Sequence, residues 1–234
     1  MFLRIISAAL ISISFAFVSA AAKYKVDVAD FSKLSVDNGV NVIYTCSPDS
    51  AGLVVFDCEP DMASKILLIN NKSTLRIQID IDDTIPTGIP TVQVYSAALS
   101  YVSNSGDSLV VVNLSVPNDK FTAKVIGNGN LIVNNLEAHN AEAKVTAGRG
   151  TIKIGGKTDK AKLLIAGTGR IDAGELRASE VHSSCIGPGH IICRPSVKLA
   201  VGGLHGKIYY ITEPEEISRR GMGVKALPID SLSQ

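Results

Sequence analysis

The chain has 234 residues, 46% of them hydrophobic, with no tryptophan, six Phe, six Tyr and a net charge of +1. That balance excludes a general nucleic-acid binder and an acidic tail. A core without Trp is filled by Val, Ile, Leu and Ala, which suits thin stacked layers better than a globule built round aromatics.

Residues 1–22 read as a secretory signal peptide: Arg4, an apolar run over 5–18, then Val18-Ser19-Ala20-Ala21-Ala22, with cleavage expected after Ala20 or Ala22. The run is too short to cross a bilayer of about 30 Å, and no second one follows. The expectation is an exported protein that does not span the membrane, located in the periplasm, at the cell surface or outside the cell. No cysteine stands at the cleavage site, which argues against a lipoprotein.

Residues 23–100 read as an irregular β region. The stretch 34–44 alternates, 47–52 is a turn and 53–57 resumes, so 40–46 and 53–58 form an expected hairpin. Cys46 and Cys58 would then lie on the order of 20 Å apart. A disulfide tolerates a Cα separation of roughly 7 Å, so this pair bonds only if the loop is not a simple hairpin. A short helix is expected over 61–69 with Asp61 as N-cap. Alternation returns over 75–81, 85–90 breaks it, and 91–95 is one more strand.

Residues 101–227 carry repeats, followed by a tail over 228–234. Glycine doublets stand at Gly127-Asn128-Gly129, Gly148-Arg149-Gly150, Gly167-Thr168-Gly169 and Gly187-Pro188-Gly189, at intervals of 21, 19 and 20 residues. A weak copy precedes them at Asn104-Ser105-Gly106, and Gly203-Leu204-His205-Gly206 and Gly221-Met222-Gly223 follow. Aligned on the glycines, three inward columns emerge. Val125, Thr146, Ile165, Cys185 and Val201 precede the corner. Leu131, Ile152, Ile171, Ile191 and Ile208, then Val133, Ile154, Ala173, Cys193 and Tyr210, follow it. A period near 20 residues with alternating strands and no helical stripe predicts an all-β fold, a parallel β-solenoid or β-helix with Gly-x-Gly corners. A meander of hairpins is the alternative, and it would need turns at half this spacing. Glycine is required at the corners because a Cβ would clash with the next coil or because φ is positive.

Three stretches together resemble the GIN-domain family, a domain of unknown function also described as an auto-transporter adhesin head and common in exported proteins of Bacteroidetes. They are the lead-in Phe31-Ser-Lys-Leu-Ser-Val-Asp-Asn-Gly-Val-Asn-Val-Ile-Tyr44, the Gly-x-Gly coils, and the closing Gly206-Lys-Ile-Tyr-Tyr210 with Pro214 and Gly221-Met-Gly223. The resemblance implies a β-helix-like fold, an exported or cell-surface location and no established activity. That family usually carries Ser-Gly-Ser-Gly-Asp at its corners. Here the residue after the second glycine is Asn130, Thr151, Arg170, His190 or Lys207, so cation binding at the corners is not expected.

Arg149, Arg170, His190 and Lys207, with Lys153 close by, form an expected basic edge. With coils about 4.8 Å apart, such charges reinforce one another and suit an anionic glycan or another envelope component. The other reading is a solvated edge that keeps the stack soluble. The histidines His139, His182, His190 and His205 lack zinc-site spacing, and the carboxylates form no column, so no metal, cofactor or catalytic residue is expected. Gly155-Gly156-Lys157-Thr158 has the wrong spacing for a phosphate loop and no following helix, so it reads as a turn. Cys185 and Cys193 flank one corner, either as a disulfide across it or as two buried thiols. Exposed strand edges at the solenoid ends would permit self-association, and the polar stretch 213–220 reads as a cap against it. The expected function is a non-enzymatic structural or adhesion-like binding module, with a polysaccharide-binding or polysaccharide-cleaving protein as the alternative.

Overall fold

The structure, a computed structural model, describes residues 21–80, 87–220 and 223–233. Most of the expected signal peptide therefore lies outside the described residues. The N-terminal part runs β1 (Ala22–Asp27), β2 (Lys33–Val36), β3 (Val42–Cys46), β4 (Leu53–Cys58), α1 (Pro60–Ala63), β5 (Ile66–Asn71), β6 (Thr74–Ile79) and β7 (Val92–Ser96). It continues into β8 (Tyr101–Asn104), β9 (Leu109–Asn113), β10 (Asn118–Ile126), β11 (Asn130–Ala147), β12 (Thr151–Ile165), β13 (Arg170–Cys185) and β14 (His190–Gly203). The last strands are β15 (Lys207–Tyr210), β16 (Glu216–Arg220) and β17 (Lys225–Pro228).

These strands form a β-solenoid of about six turns at about 20-residue spacing, preceded by irregular strands. Two parallel stacks meet at the glycine corners. Strands running out of the corners put Val92, Val42, Val110, Leu131, Ile152, Ile171, Ile191, Ile208 and Ala226 in one register column. Every residue of that column is buried. Burying one such aliphatic side chain is worth roughly 1.5–3 kcal/mol, so the column is a continuous apolar spine.

The stack running into the corners holds Ile77, Val36, Asn104, Val125, Val145, Ile165, Cys185 and Gly203. Two expected members change here. Val145, not Thr146, points inward, because the register shifts between Val125 and Ile126 and Ile126 pairs with Ala147. That bulge absorbs the extra residue of the 21-residue interval. At the far end Cys185 faces Gly203, and Val201 pairs with Ser183, because the last full coil is shorter.

The glycine doublets are where backbone stacks on backbone. A Cβ on Gly187 would lie 2.2 Å from the carbonyl oxygen of Gly167, and one on Gly169 would lie 2.2 Å from that of Gly150. The steric expectation for the corners is met.

The irregular N-terminal strands share the same axis in an order that the chain does not follow. β2 pairs in parallel with both β6 and β8, and β3 pairs in parallel with both β7 and β9. The coil made by β2 and β3 is thus wedged between two coils formed from later residues. β5 runs antiparallel to β6, and β4 runs antiparallel to β7 and to β1, closing that end.

The expected hairpin of 40–46 with 53–58 does not form. β7 lies between the two strands, and the loop between them wraps the end of β7: Ser47 N–H donates to Ser96 O (2.9 Å) and Gly52 N–H to Tyr95 O (2.9 Å). The helix expected over 61–69 shrinks to α1, with Glu59 rather than Asp61 at its N-cap. Its apolar continuation is β5, paired from Ile66 against Ile79, because two more turns of helix would leave β6 without a partner on that side. Glu216–Arg220, expected within a polar cap, instead adds a further rung on β14.

Candidate functional site

The glycine edge is built by the first residue of each outgoing strand. Arg170, His190 and Lys207 occupy consecutive rungs, and Lys225 extends the row. Arg149 sits one column away at the tip of its corner, where its N–H donates to Asn128 Oδ1 (3.1 Å). Lys153 lies two residues along its strand, paired in register with Asp172.

The electrostatics of this edge are mixed rather than uniformly basic. Arg170 Nη2 meets Asp172 Oδ2 at 2.9 Å, and Lys153 Nζ meets Glu175 Oε1 at 2.9 Å. Glu175 holds the Lys153 ammonium above its ordinary range. Burial, helped by the neighbouring Arg170 charge, pushes His190 below the ordinary histidine value. His139 behaves oppositely, because its Nδ1 lies 2.7 Å from Asp159 Oδ2 and the carboxylate raises it.

An NMR titration should therefore resolve the His139 midpoint above about 6.5 and that of His190 below it. Asp159→Asn should bring His139 back down; a His139 midpoint that ignores this change would refute the pairing. For His190 the unfolded chain binds more protons than the folded one, so acidification through the histidine range weakens the fold at this site.

All four cysteines are free and buried. Cys185 Sγ lies 3.9 Å from Gly189 O, and Cys193 Sγ lies 3.4 Å from Tyr209 O. Burial pushes the Cys185 thiol up to about 11 and the Cys193 thiol up to about 12. Neither thiol should react with a maleimide near pH 8 while the protein is folded. The intact mass should not change on reduction; a gain would mean a disulfide.

A second feature lies on the far side of each coil, at the half-period bend. Here the structure opens a groove of about 740 Å³ that crosses successive coils from Pro117 and Asn118 to Ser196 and Thr212. Its floor is a register column of small or compact side chains, Asn118, Ala138, Thr158, Ala178 and Pro195. Beside it runs a column of charges, Glu137, Lys157, Arg177 and Arg194. Lys157 Nζ meets Glu137 Oε1 at 2.8 Å. Gly155-Gly156 is the bend that delivers Lys157 to the groove: Gly156 has φ +136°, and a Cβ there would lie 2.0 Å from Leu136 O. Glu137, Lys157 and Arg177 recur at 20-residue intervals, which is the signal in the sequence that could have located the groove.

Among the described residues no group of three His, Cys, Asp or Glu side chains converges as a metal site. His139, Asp159 and Ser179 follow one another on neighbouring rungs of the groove, but the carboxylate stands in the middle. A relay of nucleophile, base and orienting acid needs the imidazole there.

Stacked parallel coils with inward aliphatic columns and backbone-only corners define a β-solenoid. The chain belongs to the family described as "Putative auto-transporter adhesin, head GIN domain", which matches residues 30–214. It is similar to the structure of a putative adhesin from Bacteroides fragilis NCTC 9343 at 24% identity and TM-score 0.79, covering 88% of this chain and 96% of that one. A putative adhesin from Parabacteroides merdae ATCC 43184 matches at 18% identity and TM-score 0.73, covering 91% and 97%. A putative lipid binding protein from Parabacteroides distasonis ATCC 8503 matches at 18% identity and TM-score 0.69, covering 91% and 98%. At these identities the likeness speaks to the fold. No curated protein matches the chain. No helix among the described residues is long and apolar enough to cross a membrane.

Proposed function

We propose that this chain is a non-enzymatic, exported binding module of the adhesin type that engages a long repetitive polymer, an envelope or extracellular glycan, side-on along the solenoid. The observation that carries this reading is the groove, which is open and runs across successive coils. Each rung, about 4.8 Å from the next, presents side chains at the same position along a line. Such a surface suits an extended chain with its ends free, whereas catalysis on a polymer needs converging acid and base groups at one point. The glycine edge suits this role less, because Arg170 and Lys153 there are already paired with Asp172 and Glu175.

The mature protein should bind one or more polysaccharides on a glycan array while releasing no reducing ends from them. Absence of binding across acidic and neutral polymers would overturn the reading, and product release would replace it with a carbohydrate-active enzyme.

A further inference from the structure

We infer that the groove is an anion-reading cleft for an acidic polysaccharide, with Arg177 and Arg194 as the paired guanidiniums that receive its carboxylate or sulfate groups. This rests on the glycan-binding reading above and deepens it by naming the ligand's charge and the residues that meet it.

The charges facing the groove are Glu137, His139, Lys157, Asp159, Arg177 and Arg194. Four of them already hold one another, Glu137 with Lys157 at 2.8 Å and His139 with Asp159 at 2.7 Å. The two arginines are left over. They are direct register partners on adjacent rungs, and neither has a carboxylate within ion-pair distance among the described residues. Like charges directly opposite in a sheet repel, so this end of the groove carries an unmet demand for a counter-charge. Arg194 is half-buried, and its Nε is shielded from solvent with no acceptor; Arg170 Nε is shielded in the same way, but that guanidinium already holds Asp172. A buried donor without a partner is rare in a finished structure, and a bound oxyanion supplies the acceptor. Guanidinium forks match carboxylate and sulfate oxygens in bidentate geometry, which lysines in the same places would not.

The rest of the groove suits the sugar that bears such a group. Ala178 and Pro195 make a flat, apolar floor beside the arginines, and Ser179, Ser196 and Thr212 place hydroxyls on the rim. The rung spacing of about 4.8 Å is comparable to the length of one sugar in an extended polysaccharide, so successive residues of the polymer meet successive coils.

The test measures affinity of the full mature chain for polygalacturonate, for the same polymer with its carboxyls reduced to alcohols, for dextran sulfate and for unsulfated dextran. The wild type should bind at least one acidic polymer and lose most of that affinity on its neutral counterpart. The better acidic polymer identifies the anion as carboxylate or sulfate. Arg177→Gln with Arg194→Gln should weaken the acidic complex by about tenfold or more, the scale of a lost bidentate contact. Arg149→Ser with Arg170→Ser, at the glycine edge, should leave it within about twofold. Arg177→Gln alone, at an exposed position, keeps the test open if the double variant unfolds early, and should cost at least threefold on the same scale.

Equal binding to acidic and neutral polymers would overturn the anion assignment and leave the glycan reading standing. Loss in the glycine-edge variant with none in the groove variants would move the anion to the other face and overturn the groove. Binding to no polymer would overturn both.

Discussion

Gly187→Ala should lower the unfolding free energy by about 3 kcal/mol or more, in the upper range for single substitutions. The added methyl would lie 2.2 Å from Gly167 O and 2.9 Å from the carbonyl carbon, both backbone atoms of the coil below. Neither can move aside without parting the coils, and the Ile186 N–H to Ile165 O bond (2.8 Å) next to the corner would be stretched. For a protein of this size, such a loss shifts the thermal midpoint by roughly 6–12 °C. Gly39→Ala separates the causes. Gly39 has φ +83° and nothing within 4 Å of its added Cβ, so it should lose only the left-handed backbone cost of about 1–2 kcal/mol. If Gly187→Ala proved no worse than Gly39→Ala by calorimetry, the stacked-carbonyl account of the corners would be wrong.

Asn104→Leu should destabilise the protein by about 3–5 kcal/mol, although Leu is apolar, similar in volume and placed in an aliphatic column. Asn104 is fully buried between Val36 and Val125. Its Nδ2 donates to Ser108 O (2.8 Å) and Asn130 O (3.1 Å), and its Oδ1 accepts from the Gly106 N–H (3.1 Å) and Ser108 Oγ (3.3 Å). The amide thereby holds a corner, Gly106-Asp107-Ser108, that lacks the second glycine, and it ties that corner to the next coil. Leucine would satisfy none of these groups, and each orphaned buried group costs about 1–3 kcal/mol. Ser108→Ala removes a single hydroxyl and should cost about 1 kcal/mol. Denaturant titrations of the two variants measure the difference, and near-equal midpoints would show that the network contributes little.

The repeat architecture was legible because a corner that admits only glycine leaves a mark at fixed intervals. Aligning those marks placed Leu131, Ile152, Ile171, Ile191 and Ile208 in one buried column, as the register has them. The alignment failed by one residue at Thr146, where a bulge took up the longer interval, and by two at Val201, where a coil is shorter. Glycine positions do not report such local slack. The order of the N-terminal strands was not legible either. β2 and β3 alternate like any half-buried strand, and alternation says which face is inside but not which strand lies alongside.

The candidate site was legible in part. Arg170, His190 and Lys207 do share consecutive rungs, because they stand one residue past a corner whose register is fixed. Their partners were hidden. Asp172 and Glu175 reach the edge two and five residues later, at distances set by the strand's pleat and bend. The groove was missed because its column lies on the far side of the bend, where the bulges between Lys153 and Gly155 and between Ala173 and Arg177 displace one coil against the next.

The wedged coil of β2 and β3 bears on how such a chain comes to be folded. From β10 onward each coil can settle on the one made before it, so that part of the molecule can grow like a stack built from one end. The part before it cannot. Leu34 has to wait for Leu75 on one side and Val102 on the other, so residues made early wait longest, counted from their own synthesis, for their neighbours. Closing those long loops before any contact rewards them is slow. The topology therefore leaves β2 and β3 short of one parallel partner each until roughly the first half of the chain has been made, so a chain halted before that point lacks a complete rung at its own beginning.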